Sequence, residues 1–374
     1  MSEAALENAN AISGRSLAGL AMRRLRRNLA AMVSIVVLAV VSAVCFLGPL
    51  VYSHGHADIF PSYVAVSPSL SPYPLADTLH DVMERAVERG RARLEDLVVE
   101  GATFRATIVS DKAIDPRIVR YIDRPNEFDG AAIIERSVDG GKVMVAGRVN
   151  GQYFILGTDR NGRDLLARIM VGGQISLMVG IFATLVSLVI GVTYGAISGY
   201  FGGRVDDVMM RLVEILYSLP FIFFVIMLVV FFGRHIILVF LAIGAINWLD
   251  MARIVRGQTL SLKRREFVEA AVAMGLTNRQ IIRRHIIPNT IGPVVVFITL
   301  LVPQVILLES FLSFLGLGVQ EPLTSWGALI AEGAAGIQST PWLLIWPSAF
   351  FVLTLSALNF IGDGLRDAFD PKDR

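Results

Sequence analysis

Few residues of this chain have the types and spacing that chemistry at a catalytic or metal site requires. His54 and His56 offer two metal ligands, but no third follows nearby, and a structural zinc site takes four. Asp159 and Asp164 stand beside arginines, a pattern typical of a salt-bridged turn rather than of an acid–base pair. The chain has four lysines, Lys112, Lys142, Lys263 and Lys372. None lies in the Gly-rich Gly-Lys-Ser/Thr context of a phosphate-binding loop, so the sequence predicts no nucleotide hydrolysis and no cofactor or metal in this chain.

A basic segment over residues 265–288 has the side chains of a contact surface. Its pattern predicts two short helices joined at Gly275, the second of which begins with a capping box of Thr277 and Gln280. Pro288 cannot donate a helical hydrogen bond, and it marks the approach to an apolar span.

The first of these helices is expected to present a small apolar face, made by Phe267, Ala270, Ala271 and Met274. One interpretation is a basic amphipathic hairpin that rests on anionic lipid. The other is a surface for a partner protein, which Ala270, Ala271 and Gly275 favour because small residues let another backbone approach closely.

The chain that carries this segment has the composition of a polytopic membrane protein. It is 54% hydrophobic and only 18% charged, and its mean hydropathy is +0.61. A helix needs about 20 mostly apolar residues to cross a bilayer. Six stretches are predicted spans: 29–52, 174–199, 212–233, 236–254, 291–310 and 342–362. The fourth is the weakest, because Asp250 and Arg253 fall in its last turns.

The distribution of Lys and Arg orients these spans. Four arginines lie between residues 23 and 27, eight basic residues lie between 253 and 284, and residues 311–341 contain none. We therefore expect both termini and the loop at about 264–288 in the cytoplasm. The long segment between spans one and two is then extracytoplasmic, and its many arginines are no objection because long translocated domains escape the charge rule.

This long segment, residues 53–156, is predicted to form a small α+β domain. Residues 61–74 are rich in Pro and Ser and predict a linker, and residues 75–99 have helical spacing with a break at Gly90. The sequence around Asp139 predicts a β-hairpin between strands at 131–137 and 142–149.

Some features of the spans have both a structural and a functional interpretation. Glu309, at the outer end of the fifth span, either lines an aqueous path through the membrane or snorkels into the interface. Three prolines interrupt spans, at Pro220, Pro293 and Pro303, where a packing role is favoured over a gating role. A ridge of small residues on the second span predicts close helix packing, and it consists of Gly191, Gly195 and Gly199.

The loop at 264–288 resembles the EAA signature of ABC-importer permeases. The matching residues are Glu269, Ala270, Ala271, Gly275 and Pro288. The sequence departs from the pattern at His285, where the family has Ile, and at Ile287, where it has Leu. Further motifs at 156–166, 202–212, 248–258, 309–318 and 360–371 follow in order. Over about 15–52 and 152–374 the chain is similar to the C-type permease subunits of oligopeptide importers.

The resemblance implies an all-α polytopic membrane protein with six transmembrane helices of the type I ABC-importer permease fold and a small extracytoplasmic α+β insert between spans one and two. It divides the chain into a basic cytoplasmic segment (1–28), a first transmembrane helix (29–52), a periplasmic insert (53–156) and a permease core with five spans (157–374). The implied localisation is the bacterial inner membrane.

The resemblance also implies a non-catalytic subunit with a set of partners. These are a B-type permease, two cytoplasmic ATPases that bind ATP and Mg, a periplasmic peptide-binding protein, the peptide substrate and membrane lipid, with no nucleic acid. The first helix of the loop is implied to be a coupling helix seated on an ATPase, with Glu269 as its polar contact and Gly275 as its turn. In this setting Glu309 is a candidate to meet the amino terminus of a peptide.

Two alternatives to oligopeptide import remain at this point. The same fold carries dipeptides, nickel chelates or antimicrobial peptides in related systems. A stand-alone secondary transporter is less favoured, since the expected internal repeats and ionisable residues at mid-membrane are not evident in the sequence.

Overall fold

The computed structural model describes residues 17–73, 76–125, 127–233 and 236–369. The chain divides into two compact units, one made of Met1–Ser53 with Ala167–Arg374 and the other of His54–Leu166. Parts of four predicted segments lie outside the described residues: positions 1–16 of the basic segment, position 74 of the 61–74 linker, position 75 of the 75–99 segment, and positions 370–374 of the tail.

The structure contains helices, one π-helical turn and a four-stranded sheet. In chain order the elements are α1 (Leu17–Leu25), α2 (Leu29–Val51), α3 (Ala76–Arg89), β1 (Arg93–Glu100), β2 (Thr103–Val109), α4 (Ile118–Ile122), β3 (Phe128–Arg136), β4 (Lys142–Val149), α5 (Leu165–Phe201), α6 (Gly203–Ser218), α7 (Phe221–Phe232), α8 (Ile236–Leu262), α9 (Glu266–Ala273), α10 (Asn278–Ile281), the π turn (Ile282–Ile286), α11 (Ile287–Phe314), α12 (Trp326–Ala334) and α13 (Trp342–Phe369).

Four helical runs are long and apolar enough to cross a membrane. They are Leu29–Val51, Leu165–Phe201, Asn278–Phe314 and Trp342–Phe369, and they contain nearly all of the predicted spans one, two, five and six. The pair α6 and α7 makes a fifth if it is counted as one span. The predicted fourth span lies in the continuous helix α8, which is not among these runs, so a total of six stays a prediction.

The predicted third span, 212–233, is broken in the middle. Helices α6 and α7 meet at an angle of 81°. The break falls at Leu219 and Pro220, which both have extended ψ angles, of 127° and 120°. A proline disfavours helical geometry in the residue before it, which explains why the helix ends there. Pro293 and Pro303, by contrast, lie inside the continuous helix α11, so the expectation that they interrupt a span was wrong.

The glycine ridge of α5 packs directly against α8, as predicted. A Cβ atom on Gly191 would lie 2.9 Å from the carbonyl oxygen of Trp248, and one on Gly199 would lie 2.8 Å from that of Arg256. A Cβ on Gly195 would also collide with the α8 backbone. Glycine at these positions therefore lets the two helices approach at backbone distance.

The unit His54–Leu166 contains helices α3 and α4 and a four-stranded sheet, an α+β architecture. Its antiparallel sheet has the order β1-β2-β4-β3, and β3 and β4 form the predicted hairpin. Alternate residues of β2 point into a core shared with α3 and α4, where Phe104, Ala106 and Ile108 are buried. The unit extends past residue 156 to Leu166. One contact that ties this last part to the rest of the unit is the hydrogen bond from the Thr158 hydroxyl to the Tyr63 carbonyl, at 2.5 Å.

One prediction in this unit was wrong. The segment 75–99 was expected to be helical with a break at Gly90, but only Ala76–Arg89 is a helix and Arg93–Glu100 is strand β1. The strand pairs with β2 along its whole length. A short apolar run does not distinguish a helix from a strand, and residues 93–100 form a strand here because they pair with β2.

Candidate functional site

The matched EAA residues lie in a helical hairpin made of α9, α10, the π turn and the first two residues of α11, called here the 265–288 hairpin. Helix α9 begins after Arg265, and both Glu266 and Glu269 fall in its first turn. Acidic side chains are favourable there, because the amino-terminal end of a helix carries partial positive charge. The predicted polar contact residue Glu269 is therefore also a favourable residue for starting this helix.

Gly275 closes α9 in the manner expected of a joint. Its φ angle is +79°, a left-handed conformation that favours glycine. The amide of Gly275 donates to the carbonyl of Val272 at 2.9 Å, and the amide of Leu276 donates to that of Ala271 at 3.2 Å. These two bonds form a Schellman motif, which satisfies the last carbonyl groups of the helix. A Cβ at Gly275 would meet no atom of the described residues within 4 Å, so the requirement for glycine comes from the backbone angle.

The second arm begins with the capping box that the sequence predicts. The Gln280 amide donates to the Thr277 hydroxyl at 3.4 Å, and the Thr277 amide donates to the Gln280 side chain at 2.9 Å. The arm then continues through the π turn into α11 without a gap. Pro288 is the second residue of α11, where a missing N–H is tolerated, and the π turn comes immediately before that helix.

The underside of the hairpin is part of the core of this chain. Val268 and Ala271 of α9, with Ile281 and Ile286 of the second arm, are buried. They pack in one cluster with residues of α5 and α8, which are Val192, Ala196, Tyr200, Met251 and Val255. The hairpin is thus anchored on the ends of two long helices rather than hanging free.

The outer face of α9 remains exposed in this chain. Phe267 is 40% and Met274 is 71% exposed, and Glu269 and Ala270 are exposed beside them. Ala271 differs from the expectation, because it is fully buried beneath the helix and offers no surface to another protein. Three of the four predicted face residues therefore form an open apolar strip, and Ala271 supports it from below.

Charge on the hairpin and the residues just before it is unevenly distributed. Glu266 and Glu269 are the acidic residues between 263 and 288, against six basic ones, Lys263, Arg264, Arg265, Arg279, Arg283 and Arg284. All eight are exposed. Glu269 forms no salt bridge with any side chain in the described ranges, so its carboxylate is available to a partner on an otherwise basic surface.

Polar contacts tie the hairpin region to the spans. The Tyr200 hydroxyl of α5 contacts Asn278 Oδ1 of α10 at 3.1 Å. Nearby, the Arg256 guanidinium of α8 donates twice to Asp206 of α6, at 2.6 and 2.5 Å, and Ser198 of α5 donates to the same carboxylate. These links join α5, α6 and α8 at the end of the bundle that carries the hairpin.

Glu309, the other predicted site residue, lies elsewhere and is enclosed. It is 21 residues after Pro288 in the sequence, which corresponds to about 30 Å along a helix. The Ser313 hydroxyl donates to its carboxylate at 2.6 Å and the Ser176 hydroxyl at 3.2 Å. Its side chain is completely buried among residues of this chain. In this conformation it neither lines an open path nor snorkels, in contrast to both interpretations of the sequence.

Long-range polar contacts join α5 and α12, and they could not be predicted from the sequence. The Trp326 amide donates to the Ser176 hydroxyl at 3.2 Å, and the Trp326 indole donates to the Ile169 carbonyl at 3.0 Å. Arg168 forms a bidentate pair with Glu332, at 2.7 and 2.9 Å. These contacts fasten α12 to α5 across 150 to 164 positions of sequence, and no local pattern in the sequence signals them.

The remaining candidates from the sequence have structural roles. Arg163 pairs with Asp159 at 2.7 Å, as the predicted salt-bridged turn requires. His54 contacts Asp164 through Nδ1 at 2.7 Å and Gln152 through Nε2 at 2.9 Å, so both ring nitrogens are engaged within the protein.

Comparison with known proteins gives two family matches. Residues 191–374 match the family described as binding-protein-dependent transport system inner membrane component, and residues 16–81 match the N-terminal TM domain of oligopeptide transport permease C. The first match includes the whole 265–288 hairpin.

Individual relatives are similar over much of their length. The oligopeptide transport system permease protein OppC of Haemophilus influenzae is 63% identical over 222 residues, which are 59% of this chain and 71% of that protein. The OppC protein of Escherichia coli K12 is 64% identical over 225 residues, 60% of this chain and 74% of that protein. A solved structure of the MetNI methionine ABC transporter has a TM-score of 0.44 at 20% identity, covering 54% of this chain and 96% of that one.

Proposed function

The chain belongs to the family of binding-protein-dependent transport system inner membrane components, and from this premise we propose that it is the C-type permease subunit of an oligopeptide importer. As a member of this family it is an integral inner-membrane protein built of spanning helices. It is a permease subunit, and in such transporters a separate subunit hydrolyses ATP.

Family membership implies ATPase and binding-protein partners in general, and the finer assembly is part of the proposal. The chain pairs with a B-type permease to enclose the path, and two cytoplasmic ATPases, which bind ATP and Mg, drive the cycle. A periplasmic protein delivers peptide. The core has six spans of the type I ABC-importer permease fold with both termini in the cytoplasm, and the α+β unit is extracytoplasmic, in line with the arginine distribution.

The geometry of the 265–288 hairpin is the observation that best supports this assembly. A surface for transmitting force to the spans needs an exposed face for the partner and a rigid base. Phe267, Ala270 and Met274 are exposed, while Val268 and Ala271 are buried against α5 and α8. A hairpin that merely rested on lipid would not need the acidic Glu269 on its open side, since an anionic surface would repel it.

Charge reversal at two neighbouring positions tests the docking assignment. Glu266 and Glu269 are both exposed and both in the first turn of α9, so replacing either by Lys removes the same favourable interaction with the helix end. We expect Glu269→Lys to lose co-purification with the ATPase subunits and peptide uptake, and Glu266→Lys to retain both. Equal behaviour of the two variants would show that Glu269 makes no specific contact.

Oligopeptide cargo rests on the high identity to the OppC proteins. A dipeptide transport system permease of Bacillus subtilis is also similar, at 48% identity over 219 residues, so dipeptides are the second candidate cargo. Uptake into proteoliposomes that contain the whole importer separates the two. Competition of labelled pentapeptide uptake by unlabelled pentapeptide, but not by dipeptide, is the expected result.

A further inference from the structure

A charged pocket of about 410 Å³ lies within the unit His54–Leu166, and none of the residues that line it belongs to the proposed docking or transport sites. Three segments of the chain form it. Ser62 comes from the linker, Arg85 and Arg89 lie one turn apart on α3, and Arg124 and Glu127 come just before β3. The pocket therefore depends on the folded domain and not on one helix alone.

Its charges are arranged in two layers. Arg85, Arg89 and Arg124 are exposed at the mouth, whereas Glu127 is only 3% exposed. The Oε2 atom of Glu127 has no hydrogen-bond partner among the described residues, and no arginine reaches it at salt-bridge distance. A buried carboxylate oxygen without a partner is costly, so its retention in a pocket with three arginines indicates that something else donates to it.

The neighbourhood of Glu127 holds a second polar group of the same kind. The Tyr63 hydroxyl is buried and also lacks a hydrogen-bond partner within the part of the chain that the structure describes. Burial, and then the negative charge of Glu127, hold the pKa of Tyr63 well above its ordinary value. Tyr63 is therefore a neutral hydroxyl at physiological pH, and the effect of Glu127 on it shows that the two groups are close.

We propose that this pocket binds a small zwitterion, with a carboxylate held by the arginines and an ammonium group held by Glu127, as in an amino acid or a short peptide. Guanidinium groups bind carboxylates in a planar bidentate geometry, and three of them provide for the anionic end. An ammonium group supplies the positively charged hydrogen-bond donor that Glu127 Oε2 does not find among the described residues. The volume lies within the range of about 300–1,000 Å³ that is usual for small-molecule sites. This site is independent of the ATPase-docking assignment.

Binding of tri-alanine to the purified full-length permease in nanodiscs, without ATPases or binding protein, tests the proposal. Equilibrium dialysis with labelled tri-alanine is compared with the N-acetylated and C-amidated forms, each of which removes one terminal charge. Each blocked form loses one charge-assisted contact, so it is expected to bind roughly tenfold or more weakly. Glu127→Gln and Arg89→Gln are expected to weaken tri-alanine to a similar degree.

Two matched variants control for general charge effects. These are Glu88→Gln and Arg120→Gln. Glu88 lies on the same helix as Arg89, and Arg120 lies on α4. Both residues are exposed, and neither lines the pocket. Both should bind tri-alanine like the wild type. No measurable binding by the wild type, equal binding of blocked tri-alanine, or binding insensitive to both pocket variants would each overturn the proposal. If Glu127→Gln unfolds, as judged by thermal unfolding, Arg89→Gln at the exposed mouth decides.

Discussion

Replacing Gly275 by Asp is the most informative perturbation of the 265–288 hairpin, because its expected cost in folding free energy is small. A residue other than glycine in the left-handed region costs about 1–2 kcal/mol, and aspartate is near the low end because its short side chain bonds locally. Gly275 has φ +79° and no atom within 4 Å of an added Cβ, so no steric term is added. Proteins are stable by about 5–15 kcal/mol, so the variant should fold and insert.

The functional effect of Gly275→Asp should be much larger than this. The new carboxylate sits at the joint beside the exposed face of α9, and the strain acts on the Schellman motif that sets the angle between the arms. We expect the reconstituted importer to lose peptide uptake while ATP hydrolysis continues, so that the two are uncoupled; both are measured in the same proteoliposomes. The expected loss of uptake is roughly tenfold or more, which corresponds to about 1.4 kcal/mol of docking energy.

A matched control separates this effect from backbone strain. Gly101 has φ +61° and also nothing within 4 Å of an added Cβ, but it lies in the turn between β1 and β2. Gly101→Asp therefore carries a similar strain away from the hairpin and should leave uptake unchanged. Normal uptake by a correctly inserted and assembled Gly275→Asp permease would refute the docking assignment.

Three further predictions follow from other contacts. Gly195→Ala should lower the Tm of the purified permease, because the added Cβ collides with the α8 backbone. Gly257→Ala has open space around it on α8 and should raise the Tm, since glycine is costly inside a helix. A fall in Tm for both variants would contradict the assigned packing. Asp206→Ala should destabilise the permease by about 2 kcal/mol, since it strips Arg256 of two charge-assisted hydrogen bonds, and the exposed Asp207→Ala should do so much less in the same unfolding assay. In a Cys45→Ala background, a membrane-impermeant maleimide should label Asp139→Cys from outside the inner membrane, and Arg284→Cys only after that membrane is permeabilised; the reverse pattern would invert the proposed orientation.

Features fixed by local chemistry could be predicted from the sequence. The capping box of Thr277 and Gln280, the joint at Gly275 and the β3–β4 hairpin each depend on residues a few positions apart. The ridge of Gly191, Gly195 and Gly199 also has a local signature, although its partner α8 could not be named. Four of the spans follow from apolar length alone, because a bilayer demands it.

Features fixed by distant partners could not be predicted. Strand β1 is a strand because β2 pairs with it, and Ala271 is buried because α5 and α8 pass beneath α9. Glu309 is enclosed by Ser313 of its own helix and by Ser176, which is 133 positions away. Neither spacing nor residue type marks such positions, so a contact residue and a supporting residue look alike in the EAA pattern.

One continuous helical run connects the 265–288 hairpin to the spans, so a movement of the hairpin would be passed along it. The second arm, the π turn and α11 form one helical run, Asn278–Phe314. The hairpin occupies its first turns, and Glu309 with its serines lies near its last. Because a helix is stiff along its axis, a movement of the anchored hairpin must displace this run or bend it. Bending would be easiest where Pro293 and Pro303 each remove a helical hydrogen bond. Pro293 and Pro303 thus lie between the proposed docking surface and the enclosed carboxylate, where a movement of the hairpin would be absorbed.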